Sequence, residues 1–270
     1  MYYVMDEIGR DNQQTIRSLS TAGEKWRFIN ELAQKAGFSG IHLSKNRYEK
    51  EYLLPLATLP EEICRYRLTI HLDQPYSLVE DDECRRAWHW LDSALSFAKS
   101  VNAEGVSICP PLIPNGMQPM RGYLRERFLE VMSAISGEYR WAGLSLSVRS
   151  DIMGQAALFQ GLADYVDFVN ELRIGALVDL SSLFYQGYSA NDLLEALDRL
   201  TVSGFYVSDA FPGKDAAAGT RLPIGEGLMG LERILSKYAK RDNVFGALSV
   251  DANFEEIQAS LRKVMAFRHD

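Results

Sequence analysis

The feature that most constrains the fold of this chain is an alternation of short apolar runs with longer segments of helical periodicity. The runs are rich in Val, Ile and Leu, and eight of them recur along the 270 residues. Such alternation is typical of βα units, in which helices connect parallel strands. The candidate strands are residues 2–5, 40–44, 68–72, 105–109, 143–148, 175–179, 204–208 and 244–250.

Eight βα units predict one domain over residues 1–270 with the α/β class fold of a single (β/α)8 TIM barrel. Eight parallel strands can close into a barrel or lie in an open, doubly wound sheet. No Gly-x-Gly-x-x-Gly pattern follows the first strand, so the dinucleotide-binding version of the open sheet is not indicated. A closed barrel is therefore the favoured arrangement, since about 250 residues is a typical length for it.

Charge and composition exclude some classes of partner. The net charge of −7 argues against a nucleic-acid binder, because phosphate contacts need clustered Lys and Arg. The odd number of cysteines (Cys64, Cys84 and Cys109), without metal-ligand spacing, indicates reduced thiols and a cytoplasmic location. Neither a signal peptide nor an apolar run of about 18 residues is present, so no membrane partner is expected. A homo-oligomer is compatible with the sequence.

Polar residues gather at the ends of the candidate strands. Barrels build their sites at the C-terminal ends of the strands and in the loops that follow. The candidates are His42, His71, Asp73, Cys109, Ser147, Arg149, Asp179, Ser182, Tyr206, Asp209, Arg221, Glu226 and Asp251. Because packing does not explain hydrophobic strands that end in polar residues at one end only, we expect a polar pocket at this end of the barrel.

Several of these residues also have a purely structural interpretation. Asp179 ends a buried strand and could cap the next helix, and Asp251 could cap the last one. His71 is either a hydrogen-bonded pocket residue or a ligand or base. Cys109 precedes two prolines and could be an inert buried thiol. Asp209 could organise the long loop after it.

Three segments of the chain carry the motifs of a known family. Residues 36–42, Ala-Gly-Phe-Ser-Gly-Ile-His, look like the G-[FY]-x-G-[IV]-E entry to strand two. Residues 177–188 resemble the D-T-x-H…G segment, and Tyr206-x-x-Asp209 followed by Gly225-Glu226-Gly227 resembles H-x-x-D…D-x-H-x-x-x-G-E-G. From about residue 30 to 255 the order of these motifs resembles the xylose isomerase-like TIM barrel superfamily, which includes sugar phosphate isomerases and epimerases and family 2 AP endonucleases.

The resemblance implies a divalent metal (Mn, Mg, Co or Zn) at the barrel mouth. It also implies sugar isomerisation or epimerisation through an enediolate, or cleavage of abasic DNA. Two of the family's residues are kept, the strand-three His as His71 and the strand-six Asp as Asp179. Others are replaced: the strand-four His by Cys109, the strand-five Glu by Ser147, and the His that accompanies the strand-six Asp by Ser182.

The later strands depart further from the family pattern. Tyr206 stands for the strand-seven His, Arg221 for the His of D-x-H, and Asp251 for the strand-eight Glu, while His42 stands for the strand-two Glu. Of the isomerase ligand set only Asp179 and the shorter Asp251 remain, so these two are the predicted metal ligands. Two carboxylates hold Mg²⁺ or Mn²⁺ loosely, so the sequence leaves open whether any metal binds.

These residues predict an isomerase or epimerase that transfers a proton next to a carbonyl of a sugar or sugar phosphate. The predicted catalytic residues are Asp179, Asp251 and His71, and the predicted substrate-binding residues are Arg149, Arg221, Tyr206, Asp209, Cys109, Ser147, Ser182 and Glu226. Two arginines in the pocket favour an anionic ligand, unless Arg221 merely pairs with Glu226 or Asp209. The alternative function is a catalytically degenerate barrel that binds an anionic sugar without metal chemistry.

Overall fold

Eight parallel strands close into one barrel in the computed structural model, in the order in which they occur along the chain. The structure describes residues 1–73, 78–150, 156–211 and 221–267. The strands are β1 (Tyr2–Met5), β2 (Gly40–Ser44), β3 (Arg67–Leu72), β4 (Gly105–Ile108), β5 (Ser145–Arg149), β6 (Gly175–Asp179), β7 (Val202–Val207) and β8 (Phe245–Leu248). The predicted (β/α)8 barrel is confirmed.

Helices surround the barrel and connect its strands. They are α1 (Arg10–Ser18), α2 (Ala22–Ala36), α3 (Glu61–Cys64), α4 (Asp81–Ser100), α5 (Arg121–Trp141), α6 (Leu162–Leu172), α7 (Leu180–Tyr185), α8 (Ala190–Asp198), α9 (Leu231–Ser236) and α10 (Phe254–Ala266). A π-helical turn, Arg47–Glu51, follows β2. Within the described residues, no helix is both long and apolar enough to cross a membrane.

Strand β5 begins two residues later than the sequence predicted. Gly143 has a φ of +71°, a left-handed conformation that glycine adopts without a steric penalty. This residue therefore ends the turn after α5, and β5 extends instead to Arg149. The shift places the Arg149 side chain at the C-terminal end of a strand rather than in the loop beyond it.

The register of the strands decides which side chains share the barrel interior. Side chains alternate between the two faces of a strand, so every second residue points inward. Ser44 is paired with His71 and Asp179 with Tyr206, which places these residues at similar levels near the C-terminal end. A small cluster of buried hydrophobic residues lies inside the barrel: Tyr2, Val4, Leu177, Tyr206, Phe245 and Ala247. The much larger core lies outside, between the strands and the helices.

A cavity of about 260 Å³ lies at the opposite, N-terminal end of the barrel. Its lining combines apolar residues with polar ones, including Ser145, Ser147, Ser203 and the Arg67–Glu104 ion pair. Residues at this end of a barrel usually serve stability, whereas catalytic residues come from the C-terminal ends of the strands. The C-terminal end of the barrel is therefore the expected place of the functional site.

Candidate functional site

Asp179 is the centre of the polar cluster at the C-terminal mouth of the barrel. Its side chain is fully buried, and Oδ2 accepts hydrogen bonds from Nη2 of Arg149 at 2.6 Å and of Arg221 at 3.1 Å. Oδ1 accepts from the hydroxyl of Ser181 and the backbone N–H of Ser182. Asp179 therefore lies in the mouth and also caps helix α7, so both interpretations of this residue apply at once.

The charge balance around Asp179 favours the ionised carboxylate. Burial alone would raise the pKa of Asp179, but the charges of Arg221 and Arg149 outweigh it, and the net shift is downward. Two guanidinium groups share this one carboxylate, so the three side chains together carry a net positive charge. The Arg149 and Arg221 side chains are 15% and 22% exposed, which leaves part of each accessible from the mouth.

Tyr206 lies beneath the two arginines. The guanidinium carbon of Arg149 is 4.6 Å from the centre of the Tyr206 ring, and that of Arg221 is 5.4 Å away. Both distances suit a cation–π contact, which orients a guanidinium group and stabilises its charge. Arg221 also donates to the hydroxyl of Ser249. The sequence left Glu226 and Asp209 open as alternative partners of Arg221. In the structure, Arg221 forms an ion pair with Asp179.

Two buried histidines lie lower in the interior, next to Tyr206. The rings of His42 and His71 stack with centres 5.6 Å apart. His42 is hydrogen bonded through Nε2 to the Tyr206 hydroxyl at 2.8 Å and through Nδ1 to the Thr69 hydroxyl at 2.7 Å. Burial lowers the pKa of His42 to about 4 and that of His71 well below its ordinary value, so both rings are neutral at pH 7.

His71 connects the interior to Cys109 at the rim. Its Nε2 atom lies 3.4 Å from Sγ of Cys109, and its Nδ1 atom lies 2.8 Å from the hydroxyl of Ser107. Cys109 follows β4 directly and is partly accessible, as are the other two cysteines, and none of the three forms a disulfide. The predicted inert buried thiol is thus in contact with a histidine.

A second ion-pair cluster follows strand β1, at positions that are not among the predicted site residues. Asp6 is buried, and its Oδ1 atom lies 2.6 Å from Nη1 of Arg47. Burial raises the pKa of Asp6, but the combined effects of Arg47, His42 and Arg221 outweigh it, and the net shift is downward. Glu7 lies 3.2 Å from Nη2 of Arg47 and accepts from the Ser249 hydroxyl at 3.3 Å.

Glu7 differs from Asp6 in the direction of its pKa shift. Burial raises the pKa of Glu7, and the lowering effect of Arg47 does not cancel it because Asp6 carries a like charge nearby. A signal for both residues was present in the sequence, since Asp6 and Glu7 come immediately after the first predicted strand. The rule that selected the other strand ends applies to them equally.

Four of the predicted site residues lie away from the Asp179 cluster. Asp251 is exposed and pairs with Nε of Arg10 at 3.2 Å, and Asn253 rather than Asp251 caps the last helix. Ser147 is buried at the level of Ser107, and Glu226 is exposed. Asp209 accepts from the backbone N–H groups of three loop residues, Ala210, Gly225 and Met229. The loop-organising interpretation of Asp209 therefore fits its contacts.

The donors at the mouth do not fit the divalent cation that the family resemblance implies. Oδ2 of Asp179 already contacts two cationic groups, which repel a third positive charge at the same oxygen. Asp251, the other predicted ligand, points outward to Arg10. Across the described ranges, no three Asp, Glu, His or Cys side chains converge in a way that could hold a metal ion. Arg149 and Arg221 lie where a cation would have to approach Asp179.

Comparison with known proteins agrees with the fold and with the motifs. A family model described as xylose isomerase-like TIM barrel matches residues 31–264. No curated protein matches the sequence.

Three solved structures illustrate the range of similar barrels. A D-tagatose 3-epimerase-like protein is 16% identical with a TM-score of 0.74, covering 100% of this chain and 98% of its own. The IOLI protein with a bound zinc atom is 13% identical with a TM-score of 0.73, covering 98% of each chain. Endonuclease IV from Thermus thermophilus is 19% identical with a TM-score of 0.69, covering 100% of this chain and 99% of its own. At these identities the likeness demonstrates a shared fold.

Proposed function

Because the chain belongs to the xylose isomerase-like TIM barrel family, we propose that it is an isomerase or epimerase acting on an anionic sugar such as a sugar phosphate. The reaction is a proton transfer next to the carbonyl of the substrate, at the C-terminal mouth of the barrel. Sugar chemistry is supported by the similarity to a D-tagatose 3-epimerase-like protein, and by other epimerases with the same fold.

The observation that carries the anionic substrate is the pair of guanidinium groups on Asp179. Arg149 and Arg221 share the carboxylate of Asp179, both side chains are partly exposed, and both contact the face of the Tyr206 ring. Guanidinium groups bind phosphate and carboxylate through paired hydrogen bonds. We therefore assign Arg149 and Arg221 to the substrate anion or to the carbonyl oxygen of the substrate.

The same pair of arginines can supply what a metal supplies in other barrels of this fold, of which one was solved with zinc and another with magnesium. When a proton leaves the carbon next to a carbonyl, negative charge moves onto the carbonyl oxygen. A fixed cation next to that oxygen stabilises the developing charge, whether the cation is a metal ion or a guanidinium group. Turnover without added metal follows from this assignment.

Among the carboxyl groups at the mouth, Glu7 is better suited to proton transfer than Asp179. Burial raises the pKa of Glu7, whereas the charges of Arg221 and Arg149 lower the pKa of Asp179. A general acid or base works best when its pKa is close to the pH of the reaction. We therefore place Asp179 as the group that positions the two arginines, and Glu7 as a candidate that exchanges protons with the substrate.

Hydrogen exchange at the substrate carbon tests this proposal. The protein is incubated in D₂O with matched pairs of aldoses, ketoses and their phosphates, in the presence of a chelator, and NMR follows the carbon next to the carbonyl. We expect deuterium incorporation and an isomeric product with a phosphorylated sugar. Exchange that requires added Mn²⁺ or Mg²⁺ would assign the charge stabilisation to a metal, and no exchange with any sugar would reject the enzymatic function.

The second candidate function is an anionic-sugar binding protein without catalysis. It is favoured by one observation: Asp179 and Asp6, the most buried carboxylates at the mouth, are both held ionised by arginine and cannot readily take up a proton. Chelator-insensitive thermal stabilisation by a sugar phosphate, without any hydrogen exchange, would support this candidate over the enzyme.

A further inference from the structure

Cys109, His71 and Ser107 form a continuous chain of hydrogen bonds from the rim into the interior. Sγ of Cys109 lies 3.4 Å from Nε2 of His71, and Nδ1 of His71 lies 2.8 Å from the Ser107 hydroxyl. The Ser107 hydroxyl lies 3.2 Å from the backbone carbonyl of Ile70. A thiol, an imidazole and a group that orients the imidazole are the parts from which activated cysteines are built.

The direction of the protons in this chain follows from Ser107. A carbonyl oxygen only accepts, so the single hydroxyl proton of Ser107 is donated to Ile70. The Ser107 oxygen must then accept from His71, which places the imidazole proton on Nδ1. Nε2 consequently carries a lone pair, and it faces the thiol of Cys109. The neutral state of the buried ring agrees with this arrangement.

The groups around the pair favour negative charge on sulfur over positive charge on the ring. Arg149 follows Val148, which is paired with Ile108, so Arg149 is the cross-strand neighbour of Cys109. His42 on β2 stacks on the ring of His71, and Tyr206 on β7 packs edge-on against the same ring. Two opposite charges also act on His71: the carboxylate of Asp6, which follows β1, and the guanidinium group of Arg47, in the turn after β2. Arg149 is therefore a permanent positive charge at the neighbouring strand end, of the sign that stabilises a thiolate.

We propose that Cys109 is the catalytic acid and base that meets the substrate, with His71 as its proton acceptor and Ser107 as the residue that positions His71. This inference rests on the proposed function and assigns the carbon-bound proton to Cys109, which leaves Glu7 to exchange protons with the substrate oxygens. The Cys109 thiol gives its proton to Nε2 of His71. The thiolate takes the proton from the carbon next to the carbonyl, and the C–H electron pair moves to the carbonyl oxygen, beside the arginines.

Product formation restores the resting state. The thiol returns the proton to the former carbonyl carbon, the proton of the neighbouring hydroxyl moves to the former carbonyl oxygen, and the imidazolium proton of His71 moves back to sulfur, so the carbonyl group shifts by one carbon. No oxidant or co-reactant is consumed, and each proton released is taken up by a named atom. Burial of His71 makes its charged form short-lived, so the thiol holds its proton between turnovers.

Two measurements test the inference separately from the proposed function. The first is the deuterium exchange assay with Cys109→Ser, His71→Gln and Ser107→Ala, with Cys64→Ser as the control far from the mouth. We expect the exchange kcat to fall at least about 100-fold for Cys109→Ser and about 10-fold or more for His71→Gln, with KM within about threefold, because acid–base catalysis contributes on this scale. Ser107→Ala should lower kcat in the same way but less.

The second measurement needs no substrate. Iodoacetamide alkylation at neutral pH is followed for each cysteine by peptide mass spectrometry, with Cys64 as the internal reference. Cys109 should react at least about 10-fold faster than Cys64, and His71→Gln should remove the difference, because His71 accepts the thiol proton as the sulfur is alkylated.

The outcomes separate the two claims. Exchange that persists at the wild-type rate in Cys109→Ser would overturn the role of Cys109 and leave the isomerase proposal intact. Alkylation of Cys109 that is slow, or unchanged in His71→Gln, would overturn the activation by His71. If no sugar shows exchange, the proposed function and the catalytic role of Cys109 are both rejected. If the alkylation rate of Cys109 still depends on His71, only the claim that Cys109 is a reactive thiol remains.

Discussion

Nη2 of Arg149 lies 2.6 Å from Oδ2 of Asp179, and both side chains face the C-terminal mouth of the barrel. Arg221 contacts the same oxygen from the other side. A carboxylate at this strand end is what the family resemblance predicts for a metal ligand, yet here it holds two cationic side chains. This relationship explains how the barrel can stabilise negative charge on a substrate with residues of its own.

Removing one arginine should weaken the binding of an anion. For Arg221→Ala we expect the Kd for a sugar phosphate to rise at least about 10-fold, because a charge-assisted hydrogen bond contributes about 1.5–3 kcal/mol. Isothermal titration measures it. Arg199→Ala is the matched control, since Arg199 forms an exposed ion pair with Asp167 at the surface. Equal affinity of the Arg221→Ala variant and the wild type would show that Arg221 only neutralises Asp179.

Removing the shared carboxylate should destabilise the fold. Asp179→Asn leaves two partly buried guanidinium groups without their counter-charge, and breaking a buried ion pair in this way costs about 3–5 kcal/mol. Urea denaturation measures the change in the free energy of unfolding. Asp167→Asn, at the exposed pair with Arg199, should cost less than about 1 kcal/mol. Similar small losses for both variants would mean that water or rearrangement compensates at the mouth.

The buried histidine pair should make stability depend on pH. The folded-state pKa of His42 is lowered to about 4, below its ordinary value of 6.5. Between these two pH values, His42 binds a proton in the unfolded chain but not in the folded chain. The stabilising contribution is complete above pH 6.5 and is lost as the pH falls toward 4. The slope approaches about 1.4 kcal/mol per pH unit from this residue alone.

The pH dependence of His42→Gln tests that assignment. Between about pH 6.5 and 5, the free energy of unfolding of this variant should fall less steeply than that of the wild type, because residue 42 no longer takes up a proton on unfolding. Most carboxylates remain ionised in this pH range and contribute little to the slope. His89→Gln, at an exposed position of helix α4, should leave the slope unchanged. An identical slope for the His42 variant and the wild type would place the acid sensitivity elsewhere.

The Gly225-Glu226-Gly227 motif should matter for loop structure rather than for its acidic side chain. A Cβ on Gly227 would lie 2.3 Å from Oδ1 of Asp209 and 2.5 Å from the carbonyl of Ala210. Gly227→Ala should therefore lower the free energy of unfolding by about 1–3 kcal/mol, the range for overpacking. Glu226→Ala, at an exposed position, should change it by less than about 0.5 kcal/mol. A tolerated Gly227→Ala would show that the loop can shift away from Asp209.

The sequence predicted the barrel because hydrophobic periodicity and strand order are local properties of the chain. The structure also brings Asp179, Arg149, Arg221 and Tyr206 into contact, because strand ends converge in this fold. Partners across the mouth could not be predicted in the same way. These partners depend on side-chain rotamers and on loop conformations. No local sequence pattern therefore indicates that Arg221 pairs with Asp179 and not with Glu226 or Asp209.

The outward position of Asp251 illustrates the same limit. The last strand ends at Leu248, two residues earlier than the sequence predicted, so Asp251 lies beyond the strand and not at its end. Its partner, Arg10, begins helix α1 at the other end of the chain. Asp6 and Glu7 are a different case, because their position after the first strand was visible in the sequence and indicated the mouth directly.

The central claim is that arginine side chains, and not a metal ion, provide the positive charge at this mouth. The most direct measurement is the binding of a sugar phosphate, compared with the unphosphorylated sugar, to protein freed of metal with a chelator. We expect the phosphate to bind at least about 10-fold more tightly than the sugar, and we expect Arg149→Gln to lose that preference. Binding that disappears with the chelator and returns on adding Mn²⁺ or Zn²⁺ would contradict it.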